Sequence, residues 1–124
     1  MHEDVKQFFE AYRDAFSREP RAAAEFYSAP CLIARMGSVC LNATREDIES
    51  LFADIDATYR SRGFTHAAIL AQDVQQLGAN SVLATVHWAY IGAQDQTLWE
   101  AIFSYNLYKC EDGLKILLLT LHDA

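Results

Sequence analysis

The sequence predicts an α+β fold in which three N-terminal helices pack in the concave face of a strongly curved antiparallel sheet. Apolar residues recur every three to four positions as far as residue 59, whereas beyond Gly63 the apolar period changes to two. Short turns separate the later segments, and connections of that length join antiparallel neighbours. Helices that precede the strands, instead of alternating with them, are typical of α+β proteins.

The length and composition predict one globular domain. The chain has 124 residues, so we expect a single domain over residues 1–124 with one core. A hydrophobic fraction of 52% and a charged fraction of 22% exclude an intrinsically disordered protein. The formal net charge of −7 repels phosphate backbones, so we expect no nucleic-acid partner.

The sequence also bears on compartment and cofactors. No basic segment followed by an apolar stretch opens the chain, and the longest aliphatic run, Ile116–Leu119, is far shorter than the roughly 20 residues of a membrane-spanning helix. We therefore expect a cytoplasmic protein with no membrane partner. An odd number of cysteines without a C-x-x-C pair predicts buried, reduced thiols, namely Cys31, Cys40 and Cys110. The four histidines lack metal-ligand spacing and no glycine-rich nucleotide motif occurs, so we expect no metal and no cofactor.

The three helices are predicted from their spacing and their end signals. Pro20 suits the first turn of a short second helix, and Pro30 prevents its continuation. Thr44 is the expected N-cap of the third helix, which Gly63 ends. The apolar faces are Val5, Phe8, Phe9, Tyr12 and Phe16, then Ala23, Phe26 and Tyr27, then Ile48, Leu51, Phe52, Ile55 and Tyr59. Two acidic residues off the third face are expected to be solvated, Asp54 and Asp56.

Two short strands are predicted around a turn at Met36–Ser38, and four long strands follow the third helix. The long segments are rich in β-branched and aromatic residues. Gly, Asn and Asp turn signals separate them. The predicted long strands are 64–77, 82–91, 98–110 and 114–122.

This order of elements resembles the nuclear transport factor 2-like superfamily, which includes ketosteroid isomerases and SnoaL-like polyketide cyclases. The resemblance covers nearly the whole chain and is carried by VKQFFEAYRDAF, AAAEFYSAPCLIARMG, TREDIESLF and FSYNLYKCEDGLKILLLTLH. It implies a cone-shaped, cystatin-like fold with a deep apolar pocket between helices and sheet, usually in a homodimer. Because the superfamily hosts enzymes, carriers and dimerisation modules, the resemblance does not select a reaction.

The chain departs from the ketosteroid isomerases of that superfamily. Their general-base aspartate lies in the strand after the second helix, where this chain has Ala34 or Arg35. Their oxyanion-hole aspartate falls near Asn106, and their oxyanion-hole tyrosine falls near Ala11 or Tyr12. Without the base, ketosteroid isomerase chemistry is not expected. Arg35 is either a cation of the pocket or a surface residue.

The predicted pocket lies between the helices and the concave sheet. Alternation along the strand that contains Trp88 and Tyr90 puts both on the pocket side. His87 is then on the opposite face, at an interface or the surface, or in the pocket if a bulge shifts the register. Alternation along the next strand puts Ser104 and Asn106 on the inner face, where they either are satisfied internally or orient a ligand. The predicted ligand-binding lining is Phe8, Tyr12, Phe16, Phe52, Tyr59, Trp88, Tyr90, Ser104 and Asn106.

Two hypotheses of function follow. The first is a SnoaL-like protein that binds a small hydrophobic molecule, with or without cofactor-free isomerase, cyclase or dehydratase-type chemistry. For such chemistry Asn106 is the candidate oxyanion donor and Glu100 the candidate base. The alternative is a non-catalytic dimerisation or partner-binding module. A homodimer through the convex sheet face is also expected. Both faces of the last strand are apolar, and the second apolar face therefore needs another subunit to cover it. The two sets are Leu114, Ile116 and Leu118 on one face, and Leu117, Leu119 and Leu121 on the other.

Overall fold

The computed structural model describes residues 2–123 and has the predicted α+β architecture. The first and last residues of the predicted domain, 1–124, lie outside the described residues. The middle helix is a short 3-10 helix. In chain order the elements are α1 (His2–Arg18), the 3-10 helix (Pro20–Phe26), β1 (Tyr27–Arg35), β2 (Ser38–Asn42), α2 (Arg45–Ser61), β3 (Phe64–Gln76), β4 (Ser81–Gly92), β5 (Thr97–Cys110) and β6 (Gly113–Leu121).

The six strands form one curled, unclosed sheet in the order β2-β1-β6-β5-β4-β3. Strands β3 to β6 form the predicted antiparallel meander, and β1 and β2 form a hairpin. The pair β1–β6 is parallel, which the prediction of an antiparallel sheet did not include. A parallel pair needs a long crossover, and here the crossover is the whole chain from β2 to β5.

Helix α1 is held in the concave side of the sheet by its apolar face. Val5, Phe9, Tyr12 and Phe16 are buried at helical spacing and belong to the same cluster as the inner residues of the strands. Near the end of the helix the Ser17 hydroxyl accepts a hydrogen bond from the backbone N–H of Ala67 at 2.9 Å. The contact fixes α1 against β3.

Helix α2 begins at the predicted cap. The Thr44 hydroxyl accepts from the backbone N–H of Asp47 at 3.2 Å, and the Asp47 carboxylate accepts from the Thr44 N–H, which completes a capping box. The first helical residue, Arg45, donates to the carbonyl oxygens of Ala24 and Tyr27 at 2.6 and 2.9 Å. These bonds tie the start of α2 to the end of the 3-10 helix.

Asp56 corrects the expectation that both aspartates of α2 are solvated. Asp54 is exposed, but the side chain of Asp56 is only 6% exposed. It accepts from Arg60 Nε at 2.6 Å, and from the backbone N–H and Nε of Arg21 at 3.3 and 3.4 Å. Burial opposes ionisation of this carboxyl, but the hydrogen bonds from Arg60 and Arg21 outweigh it and lower its pKa. Asp56 therefore clamps α2 to the 3-10 helix.

The last strand contains an irregularity that the sequence pattern did not indicate. Asn106 pairs with Leu118 while the next residue of β5, Leu107, pairs with Ile116, so Leu117 is an additional residue in β6. As a result both Ile116 and Leu119 are buried in the core, although they belong to different alternating sets. The predicted division of β6 into two apolar faces is therefore wrong.

Two other expectations can be compared with the described residues. Cys31 is buried as expected, but Cys40 and Cys110 are exposed free thiols. No helix within residues 2–123 is long and apolar enough to cross a membrane.

Candidate functional site

A cavity lies between α1, α2 and the concave face of the sheet. It offers about 50 Å³ to the centres of water-sized molecules. We call it the cavity; its lining is Tyr12, Phe16, Tyr27, Ile33, Arg35, Leu51, Phe52, Ile55, Tyr59, Trp88, Tyr90, Phe103, Tyr105 and Leu119. The lining is aromatic and aliphatic except for one arginine. Such a site selects ligands by shape and apolar contact, with few polar groups to orient them.

Most of the predicted lining lies in this cavity. Phe8 does not, because it is one position away from Phe9 on α1 and so points to the side of the helix. There it packs edge-to-face on Phe9 and Phe26, with ring centroids 5.1 and 5.3 Å apart. The predicted residues that line the cavity are Tyr12, Phe16, Phe52, Tyr59, Trp88 and Tyr90.

The predicted inward orientation of Ser104 and Asn106 is wrong. The pairing of β4 with β5 is regular from Ser81 to Tyr90, and it places Ala101 opposite Trp88. Since directly paired residues share a face, the odd-numbered residues of β5 point inward with Trp88. A one-residue error in parity moves every side chain of a strand to the other face.

Two polar even-numbered residues of β5, Ser104 and Asn106, have hydrogen-bond partners on the convex side of the sheet, which we call the outer face. Ser104 lies 2.8 Å from the Thr85 hydroxyl and 2.6 Å from His122 Nε2. Asn106 Nδ2 donates to the Ser81 hydroxyl and the Val82 carbonyl, both at 3.0 Å. These partners leave both side chains with structural roles on the outer face.

Glu100 lies on the same outer face and is the other residue considered for catalysis. Its carboxylate is 2.7 Å from Nε2 of His87, which the sequence placed on this side of the sheet. Glu100 is therefore not positioned to act as a base in the cavity.

Phe103 and Tyr105, which alternate with Ser104 and Asn106 along β5, occupy the inner positions instead. The pairing of β5 with β4 is the information that places them. Residues directly opposite each other in paired strands share a face, so the residues of β5 in register with Trp88 and Tyr90 point inward. Tyr27 was assigned to the second helix, but it begins β1 and lines the cavity.

A chain of hydrogen-bonded hydroxyls supplies the polarity of the cavity. Trp88 Nε1 donates to the Tyr105 hydroxyl at 2.8 Å, and the hydroxyls of Tyr12 and Tyr27 are 2.8 Å apart. The Tyr105 hydroxyl also interacts with that of Tyr12. Burial raises the pKa of Tyr12, Tyr27 and Tyr105 well above the usual range. The hydroxyls therefore stay protonated near neutral pH and act through hydrogen bonds.

A stack of rings forms the end of the cavity nearest the 92–97 turn. Tyr90 stacks on Trp99 at 5.0 Å between centroids, and Tyr59 meets both rings edge-on at 5.3 and 4.9 Å. The guanidinium of Arg62 lies 5.5 Å from the Trp99 ring centre, within cation–π range. Burial raises the pKa of Tyr59, and the nearby cations Arg35 and Arg62 oppose that rise.

The cavity adjoins a second, larger space, which we call the vestibule. It is lined by Ile33, Arg35, Met36, Ser38, Cys40 and Leu51 and offers about 430 Å³. Ile33, Arg35 and Leu51 also line the cavity, so the two spaces adjoin at these side chains. The turn between β1 and β2 thus forms the rim of the site.

The chemistry open to the site follows from its ionisable groups. The described lining of the cavity contains tyrosines and Arg35 but no carboxylate and no histidine. Within residues 2–123, no group of three or more His, Cys, Asp and Glu side chains is placed to hold a metal ion. The arrangement can hold a ring and hydrogen-bond its polar substituents, and it offers no base that titrates near neutral pH.

The comparisons with solved structures concern the whole fold. An NTF-2 like protein of unknown function from Shewanella oneidensis MR-1 is 13% identical, with 98% of each chain covered and a TM-score of 0.78. A cystatin-like domain of unknown function from Nostoc punctiforme is 16% identical over 99% of this chain and 76% of its own, with a TM-score of 0.76. The yeast UBP3-associated protein BRE5 is 17% identical over 95% of this chain and 92% of its own, with a TM-score of 0.75. At these identities the likeness shows a shared fold alone.

The sequence comparisons identify the family. No curated protein matches the chain. A family model described as "NTF2-like protein (DUF6841)" matches residues 2–124, which confirms the resemblance to the nuclear transport factor 2-like superfamily. The chain therefore belongs to the NTF2-like family DUF6841 and has the cystatin-like fold found in its structural neighbours.

Proposed function

We propose that this NTF2-like protein binds a small molecule that carries an apolar ring, and that it does so in the cavity. The observation that supports the proposal is a space walled by aromatic rings that also contains a chain of buried tyrosine hydroxyls. Each hydroxyl oxygen has two lone pairs and one proton, so the chain retains capacity to accept a hydrogen bond from a ligand.

The size of the cavity limits the ligand. At about 50 Å³ it is far smaller than the roughly 300–1,000 Å³ of pockets for drug-sized ligands. A steroid or polycyclic polyketide does not fit this volume. A single ring is the appropriate size, and any further part of the ligand extends into the vestibule.

We propose binding without acid–base catalysis. General acid–base chemistry near neutral pH needs a group that titrates there, and the described lining provides tyrosines with raised pKa and one arginine. Asn106 and Glu100 form side-chain hydrogen bonds on the outer face and do not line the cavity, so we no longer consider them as catalytic candidates. We also propose that the protein is cytoplasmic. Cys40 and Cys110 are exposed free thiols, and such thiols stay reduced in the cytosol.

An NMR titration with phenol, a single ring with one hydroxyl, tests the proposal. We expect saturable shifts of signals from the cavity residues. In Leu51→Trp the larger ring at the junction of cavity and vestibule should abolish these shifts. Leu70→Trp, which adds the same ring at an exposed position of β3, should leave them unchanged. Phenol shifts that do not saturate, or that persist in Leu51→Trp, would contradict cavity binding.

A second proposed role is homodimerisation through the outer face. Leu32 is paired across the sheet with Leu41 on β2 and with Leu118 on β6, so the three side chains are neighbours. They are 40%, 61% and 36% exposed, respectively. A contiguous apolar area of this kind on a sheet is typical of an interface. Among the structural neighbours, yeast BRE5 is named for association with another protein.

Light scattering at micromolar concentration tests the dimer. We expect the wild-type chain to be dimeric and Leu32→Glu to be monomeric, because a charge at the centre of the contact would be desolvated without a partner. Leu77→Glu introduces the same charge at an exposed site between β3 and β4 and should remain dimeric. A monomeric wild-type protein would refute the proposal.

A further inference from the structure

We propose that the ligand is a ring-bearing anion whose carboxylate is bound by Arg35 at the junction of the cavity and the vestibule. The inference rests on the proposed function and assigns it a chemical class of ligand. The ring would occupy the aromatic cavity, and the carboxylate would lie toward the vestibule.

The position of Arg35 is the first support. It is the only charged residue in the described lining of either space, and it lines both. Among residues 2–123 its guanidinium has no hydrogen-bond or ion-pair partner, whereas the guanidinium groups of Arg21, Arg45 and Arg60 are all bound to acceptors. A guanidinium with free donors presents a fork that matches a carboxylate.

The surrounding charge is the second support. The chain has 17 acidic residues against 10 basic ones. No acidic residue is part of the described lining of the cavity or the vestibule. A second cation, Arg62, stacks over Trp99 at the same end, and both arginines act on the nearby Tyr59 hydroxyl. The site is therefore a locally positive region in an acidic protein, which favours an anion over a neutral or cationic ligand.

The aromatic wall determines the rest of the ligand. Nine residues of the described cavity lining carry aromatic rings, two from α1, two from α2 and five from the sheet. Rings of this kind pack well in offset or edge-to-face contact with another ring. Because the cavity holds little more than one ring, the carboxylate must lie within one or two bonds of that ring to reach Arg35. Phenylacetate has this composition and serves as the probe.

Calorimetric titration with three probes of similar shape tests the charge preference. Phenylacetate is an anion, phenylacetamide is neutral and 2-phenylethylamine is a cation. We expect phenylacetate to bind about three- to tenfold more tightly than phenylacetamide, in keeping with an ion pair at a partly exposed arginine. We expect 2-phenylethylamine to bind most weakly. Added salt should reduce only the advantage of phenylacetate.

The Arg35→Gln variant assigns that advantage to one side chain. Phenylacetate should lose its preference in this variant, while phenylacetamide should bind as it does to the wild type. Arg13→Gln makes the same charge change on α1, outside the cavity and the vestibule, and should retain the preference. Arg35 is exposed at the end of β1, so the variant should fold, and its thermal transition checks this.

The thiols of the chain provide an independent readout. Cys40 lines the vestibule, whereas Cys110 is exposed near the hairpin of β5 and β6 and lines neither space. Saturating phenylacetate should slow the reaction of Cys40 with iodoacetamide and leave that of Cys110 unchanged.

The outcomes separate the two proposals. Equal affinities for phenylacetate and phenylacetamide, or a preference that survives Arg35→Gln, would overturn the role of Arg35 while leaving ring binding in the cavity supported. An unprotected Cys40 at saturation would overturn the placement of the carboxylate at the vestibule. Failure of all three probes to bind, together with failure of phenol, would overturn the proposed function itself.

Discussion

Replacing Asp56 by alanine should lower the free energy of unfolding by about 2 kcal/mol. The carboxylate is 6% exposed and accepts one short hydrogen bond, from Arg60 at 2.6 Å, and two long ones from Arg21 at 3.3 and 3.4 Å. A hydrogen bond to a charged group contributes about 1.5–3 kcal/mol. The side chains of Arg21 and Arg60 are 58% and 51% exposed, so water can solvate both guanidinium groups once the carboxylate is removed. The loss of stability therefore stays below the roughly 3–5 kcal/mol that breaking a fully buried ion pair costs.

Urea denaturation of Asp56→Ala, with Asp54→Ala as the control, measures this loss. Asp54 is on the same helix and exposed, so its replacement should change the free energy of unfolding by less than about 0.5 kcal/mol. Equal effects of the two substitutions would refute the clamp between α2 and the 3-10 helix.

The pH dependence of the same measurement has a fixed sign. The folded protein lowers the pKa of Asp56 below its ordinary value of 3.8. The stabilisation is therefore present above pH 3.8 and is lost as the pH falls through the folded pKa. The difference in stability between wild type and Asp56→Asn should accordingly shrink in acid, and a difference that grows there would show that the carboxylate is not stabilised in its charged form.

Two further substitutions are expected to act locally. Thr44→Ala should lower the free energy of unfolding by about 1 kcal/mol through loss of the α2 cap. Thr44→Ser keeps a hydroxyl at the cap and should retain most of that stability. Equal stability of the alanine and serine variants would exclude a capping role. Tyr105→Phe should cost about 1–3 kcal/mol because it leaves the buried Trp88 N–H without an acceptor. Tyr108→Phe, at an exposed position of the same strand, should be nearly neutral by the same denaturation assay.

The features that were predicted correctly are those that depend on residues close together in the sequence. The change of apolar period at Gly63 placed α2 and the meander to within one or two residues, and the Thr44 cap was recognised from the residue types that follow it. The aromatic residues of α1 and β4 that line the cavity were found from the spacing along each element. The same spacing on α1 also included Phe8, which lies at the side of the helix.

The errors concern information that is distributed between distant residues. Both alternating sets of β5 contain large apolar side chains, so its inner face is decided by pairing with β4 and not by its own composition. The burial of Asp56 depends on Arg21, which is 35 positions away. The sequence could not decide whether Arg35 is a cation of the pocket or a surface residue, because the side chains around it come from α2 and β2 as well as from β1.

The parallel pairing of β1 with β6 constrains the order in which the chain can assemble during synthesis. The hairpin of residues 27–42 is made early, but its neighbour in the sheet consists of residues 113–121. Until that segment leaves the ribosome, β1 has no partner other than β2, and one wall of the cavity is not in place. Such a large sequence separation slows folding and leaves an unpaired strand exposed to other chains. Nascent chains that stop before residue 113 should therefore depend on chaperones more than the complete sheet does.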